Sequence, residues 1–339
     1  MTDRPEPVRH PDWLVHRYDA VGDAFHYIPA PRHLRSRAVF LTDAELGAAA
    51  KAPMPVARAR ALAELGANEA EAPLRLIVHS AFCCSTLLAR AFDLPGVAHA
   101  LKEPLVLNDL AGWRRRGGSS REVAARLDDT VRLLAAPIPA GEALVVKPSN
   151  GVNALVMAML ALRPGARAIL LHAPLPTFLA SVASKGLEGR LWVRELWTKL
   201  AVDSLCDVVV EPADPLRHSD LQIAALGWLV QHRLFGRIAA RFGSRVRTLD
   251  SAALLARPER AVAALAQLFD LPVDAAAIAA GPAFARHSKT GEGFGTGDRS
   301  AVHEAARAAH GQEIALVTRW AQAVAAANGI AMDLPRPLL

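Results

Sequence analysis

The 339 residues are short of cysteine, lysine and aromatic side chains, and each shortage excludes something. Three cysteines, two of them adjacent at Cys83 and Cys84, give neither a disulfide framework nor the C-x-x-C spacing of a zinc site, and they favour a reducing compartment. No apolar run approaches the roughly 18 residues of a membrane-spanning helix, so no membrane partner is expected; the densest stretch, Ala154 to Leu162, is too short. Residues 1–30 lack the apolar segment of a secretory signal, so a cytoplasmic protein is expected. No block of five like charges occurs, which argues against a nucleic-acid partner despite the net charge of +6. Of 39 basic residues only six are lysines, at positions 51, 102, 147, 185, 199 and 289. Arginine already supplies the general basicity, so each lysine is a candidate for a particular role.

What is present suits a globular chain with ample core: 52% hydrophobic and 21% charged residues. Residues 1–72 carry scattered prolines and two short helical patterns, which read as an N-terminal extension packed on a main domain of residues 73–339. From Leu74 short apolar runs alternate with helical patterns. Strands are expected at 74–80, 97–102, 143–147 and 167–171, with helices at 85–92, 120–136 and 152–162 and another after Pro176. This alternation predicts an α/β fold, a doubly wound and mostly parallel sheet flanked by helices. Beyond Gly186 the chain turns largely helical, with one more strand at 245–250 and a glycine-rich loop at 287–298 before a last helix. Trp192 and Trp197 read as packing residues.

Residues 79–92, His-Ser-Ala-Phe-Cys-Cys-Ser-Thr-Leu-Leu-Ala-Arg-Ala-Phe, pass from strand through a tight loop into a helix opened by Ser85 and Thr86. Such a start offers unpaired backbone N–H groups to an anion, or it is a helix end capped by Ser85. The loop has neither the glycines nor the lysine of G-x-x-x-x-G-K-[ST], which disfavours a nucleoside triphosphatase. The segment resembles the phosphosulfate-binding loop of the P-loop sulfotransferase family. The alignment of Ser85-Thr86-Leu87-Leu88 sets Cys84 at the family's loop glycine and Phe82 at its usual lysine or arginine. Residues 246–272 resemble the family's late strand, its Pro-Glu turn and the helix that closes on Leu-Pro. Together the two segments extend the resemblance over about residues 74–290.

The resemblance implies a P-loop NTPase-like fold and a sulfuryl donor, 3′-phosphoadenosine 5′-phosphosulfate, with a small hydroxyl or amine acceptor and no metal. Ser80, Ala81, Phe82, Cys83, Cys84, Ser85 and Thr86 would cradle the donor. Lys102-Glu103-Pro104 resembles the x-Glu-Pro of some bacterial members, which makes Glu103 the candidate base and Lys102 a neighbouring cation. Lys147 should sit at the mouth of the third strand, because Pro148 ends the ladder there. Lys147 or Lys102 is expected to supply the charge that Phe82 lacks. His172 stands at the family's 3′-phosphate arginine, with Ser181 one position beyond its serine and Lys185 or Arg190 as compensating cations. Lys289, in the glycine-rich loop, resembles the late Ser-Lys that folds over the nucleotide. Two further classes stay open: a catalytically degenerate relative that binds a nucleotide or other anion without chemistry, and a P-loop phosphotransferase.

Overall fold

A computed structural model describes residues 6–66, 72–285 and 296–339; the side chains of 296–303 and 307 lie outside that description. Five strands, β4 (Leu74–His79), β5 (Ala98–Lys102), β6 (Ala143–Lys147), β7 (Arg167–His172) and β8 (Val246–Asp250), form a sheet of order β5-β6-β4-β7-β8. β4 runs parallel to β6, β5 to β6 and β7 to β8. Every residue of β4, β5 and β6 is buried. This is the expected consequence of helices covering both faces of a parallel sheet, and it explains why these strands read as continuous apolar runs. The one charge in the first run, Arg75, is 5% exposed and donates to the carbonyls of Phe269, Leu74 and Gly165, while burial holds its pKa below the ordinary value.

The chain divides into two compact units, residues 1–77, 86–167 and 269–273, and residues 78–85, 168–268 and 274–339. In the first, β1 (Trp13–Asp19), β2 (Ala24–Pro29) and β3 (Met54–Ala57) make a three-stranded antiparallel sheet that the sequence did not announce. The reason is local: the pairing shifts register between Val15 and Arg17, and His16 is buried where strict alternation would put an apolar residue. Helices Arg32–Arg37, Asp43–Leu46 and Arg58–Leu65 accompany this sheet. Helix Ser120–Ala135 begins as its sequence predicts, Ser119 accepting from the Glu122 amide.

In the second unit, helices Leu175–Ser184, Gly186–Val202, Asp220–Phe242 and Thr296–Ala327 pack together. A capping box between Ser219 and Gln222 opens the 23-residue helix Asp220–Phe242, whose face of Leu221, Trp228, Phe235 and Ile238 is buried. Lys289 and most of the expected glycine-rich loop lie outside the described residues. Among the described residues no helix is long and apolar enough to cross a membrane.

Candidate functional site

The loop after β4 is built from residues that do not suit its backbone. Ala81, Phe82 and Cys84 have φ of +73°, +52° and +66°, the left-handed region that favours glycine. Each costs about 1–2 kcal/mol for a residue with a Cβ, and such strain persists only where surrounding contacts enforce it. Those contacts are visible. The Ser80 amide donates to the Leu171 carbonyl at 3.2 Å, the Cys83 thiol to the same carbonyl at 3.4 Å, and the Ala81 amide to His79 Nδ1 at 3.1 Å. Phe82 lies 5.8 Å from the Phe178 ring and meets Trp192 edge-on at 5.2 Å. Contacts of this kind are worth about 0.5–1.5 kcal/mol each beyond area burial, enough to offset the strain at Phe82. The Ser80 hydroxyl is buried and has no hydrogen-bond partner among the described protein atoms. Ser85 and Thr86, both buried, open the helix Ser85–Ala91.

At the ends of β5 and β6 the structure brings Glu103 and Lys147 together. Lys102 and Lys147 are register partners, and the Glu103 amide donates to the Lys147 carbonyl at 2.6 Å. Glu103 then leaves the strand with φ +55°, a turn that carries its carboxylate to the Lys147 ammonium in an ion pair. Lys147 is 1% exposed and Glu103 20%, so the anion keeps a face to solvent while the cation does not. Lys147 Nζ also lies 5.0 Å from the centroid of the Phe40 ring.

Lys102 has a different environment from the neighbour it was paired with in sequence. It is 0% exposed, and its Nζ donates at 2.9 Å to the carbonyls of Arg35 and Ser36, in the last turn of helix Arg32–Arg37. Burial, with Arg90 and Lys147 nearby, pulls its pKa from 10.5 down to about 8 against the opposing pull of Asp93. Its carbonyl accepts from the Leu41 amide at 2.7 Å. No signal in the sequence marked this use of Arg35 to Leu41, because the contacts join segments far apart in the chain.

In the second unit His172 is half-buried, and burial holds its pKa below the ordinary value although Asp250 favours the charged form. Its ring stands edge-on to His232 at 5.3 Å; His232 is stacked on Trp228 at 4.1 Å and is pushed down to about 3, chiefly by burial. Both imidazoles are therefore neutral at pH 7. The Ser181 hydroxyl donates to the Thr177 carbonyl at 2.9 Å, a bond within its own helix. Lys185 is exposed at the end of that helix, and Arg190 faces Asp220 at 3.7 Å and Glu313 at 3.5 Å. Among the described residues no cluster of three or more His, Cys, Asp or Glu side chains is arranged to hold a metal ion.

No protein-family model matches the sequence, and no curated protein matches it. Among solved structures, the chain is similar to a sulfotransferase domain from the curacin biosynthetic pathway. The TM-score is 0.42 at 11% identity, over 79% of this chain and 100% of that one. It is also similar to a sulfotransferase domain from the Synechococcus PCC 7002 olefin synthase, with a TM-score of 0.38 at 14% identity, over 71% of this chain and 90% of that one.

Proposed function

We propose that this chain is a sulfotransferase-like enzyme that moves a sulfuryl group from 3′-phosphoadenosine 5′-phosphosulfate to a small hydroxyl or amine acceptor. The observation that carries the reading is the Glu103–Lys147 pair: a partly exposed carboxylate, turned out of the strand end by a left-handed residue and held by a buried ammonium. The C-terminal ends of parallel strands are where α/β sheets bind ligands. In this reading Glu103 accepts the acceptor's proton as the new S–O or S–N bond forms. The donor supplies the sulfuryl group, whose bond to the 5′-phosphate oxygen breaks. Lys147, sharing the carboxylate, carries positive charge towards oxygens that gain negative charge, the role that Phe82 cannot fill.

The loop supports the reading on its own geometry. Left-handed residues at 81, 82 and 84 make the tight turn that an anion-binding loop needs, and the buried Ser80 hydroxyl is a donor that an anion's oxygens would satisfy. His172 fits the 3′-phosphate less well, because a neutral imidazole brings no charge. That observation favours the second reading, a degenerate relative that binds a nucleotide or other anion without chemistry.

Calorimetric titration with 3′-phosphoadenosine 5′-phosphate, set against ATP with Mg²⁺, separates these readings from a phosphotransferase; no binding of the phosphoadenosine compound removes the first. With labelled donor and a panel of phenols, alcohols and amines, Glu103→Gln should lower kcat by about 10²-fold or more while leaving affinity for the phosphoadenosine product within twofold. Undiminished transfer in Glu103→Gln would remove Glu103 as the base.

A further inference from the structure

The N-terminal segment does more than cover the strand ends. Residues 35–41 are clamped onto residue 102 from both sides: the Arg35 and Ser36 carbonyls accept from Lys102 Nζ, and the Leu41 amide donates to the Lys102 carbonyl. Phe40 lies between these anchors, with its ring against the Lys147 ammonium. The next residue after Lys102 is Glu103, whose amide bonds the Lys147 carbonyl and whose carboxylate meets the Lys147 ammonium. The contacts therefore close a ring, from 102 through the clamped segment to Phe40, to Lys147, to Glu103 and back along the chain.

We propose that Phe40 is a positioning residue, holding the Lys147 ammonium on the Glu103 carboxylate, and that Lys102 acts through it by anchoring the segment that carries Phe40. The physical reason lies in what an ammonium at 1% exposure requires. Removed from water, its charge is stabilised by electron-rich surroundings, and the carboxylate occupies one side of it. An aromatic face meets the charge from another side and excludes water, which keeps the ion pair in a low-dielectric setting where it is strong. The catalytic use of this pair rests on the function proposed above; the positioning itself does not.

The scarcity of lysine makes the test direct. Lysine labelled with ¹³C at Cε gives six side-chain signals at most, and the Lys147 signal is identified by its loss in Lys147→Met. Its ε-methylene protons should be displaced upfield by the Phe40 ring and show a nuclear Overhauser contact to ring protons. Phe40→Leu should abolish the displacement, Phe40→Trp should retain it, and Lys102→Met, which removes the anchor to the Arg35 and Ser36 carbonyls, should reduce it. In the transfer assay Phe40→Leu should lower kcat roughly tenfold with the donor KM within twofold, and Phe40→Trp should restore it. The proposal is overturned by an undisplaced wild-type signal, by a signal that Phe40→Leu leaves in place, or by a moved signal with kcat intact. The wild-type spectrum decides even if a variant fails to fold. A chain inactive with every acceptor counts against the proposed function alone, since the resonance still reports whether Phe40 positions Lys147.

Discussion

Lys102 and Lys147 are register partners on adjacent strands, yet they meet opposite fates because of what faces each ammonium. Lys147 finds a carboxylate and an aromatic ring; Lys102 finds two backbone carbonyls and no charged hydrogen-bond partner. Two neutral carbonyls do not make up for the hydration that a buried ammonium loses, which agrees with a pKa of about 8. Between pH 8 and 10.5 the unfolded chain holds the proton that folded Lys102 has released, so this residue makes stability rise with pH across that window. Urea unfolding of wild type and Lys102→Met should show it. The difference between them should move in favour of wild type from pH 8 to pH 10, by at most about 1.4 kcal/mol per pH unit. A difference that does not change with pH would mean that Lys102 titrates like an exposed lysine. The same scale explains the loop. The sequence showed its lack of glycine, but only the structure shows Ala81, Phe82 and Cys84 in glycine's conformation, with Phe82 held there by Phe178 and Trp192.

Among elements, the N-terminal sheet shows what the abundance of arginine does. Arg17 grips Asp109 through Nε and Nη2, both at 2.9 Å, while the Tyr18 amide donates to the same carboxylate at 2.9 Å. Asp109 belongs to helix Leu105–Arg115, which starts two residues after Glu103. Arg32 with Asp93 and Glu142, Arg58 with Asp129, and Arg126 with Asp23 fasten the same N-terminal segment elsewhere. The planar guanidinium fork suits such bridging better than a lysine ammonium does, so the lysines are left for other environments. Asp109→Ala removes three of these hydrogen bonds and leaves the Tyr18 amide without its acceptor. The expected cost is about 2 kcal/mol, kept modest because Arg17 is 41% exposed, and it is read from the urea midpoint. An unchanged midpoint would mean that β1 is held by apolar packing alone. The strands of the main sheet were legible because each carries a short apolar run between helical patterns; β1 was not, because a register shift and a buried histidine break its alternation.

Across the whole molecule, buried histidines set the response to acid. His99 in the first unit and His232 in the second are each pushed to about 3, mainly by burial, with Arg35 and Arg32 adding to the effect at His99. Both pKa values lie below the unfolded value near 6.5, so their contribution to stability is complete above that pH and is lost as the pH falls through the window towards 3. Each contributes at most about 1.4 kcal/mol per pH unit. Denaturation midpoints should therefore fall steeply from pH 6.5 to pH 5, and His232→Phe should flatten the fall. A pH-independent midpoint over this range would contradict the burial of both rings.

The sequence by itself determined the parallel α/β sheet, the helices Ser85–Ala91 and Ser120–Ala135, and the positions of Glu103, Lys147 and the 80–86 loop at strand ends, because apolar period, capping and strand breaks are local properties. Only the tertiary structure decided which lysine meets Glu103, that Lys102 turns to the Arg35 and Ser36 carbonyls, and that Phe40 covers Lys147. These outcomes depend on which distant groups share a buried space with each charge, and no periodicity along the chain encodes that.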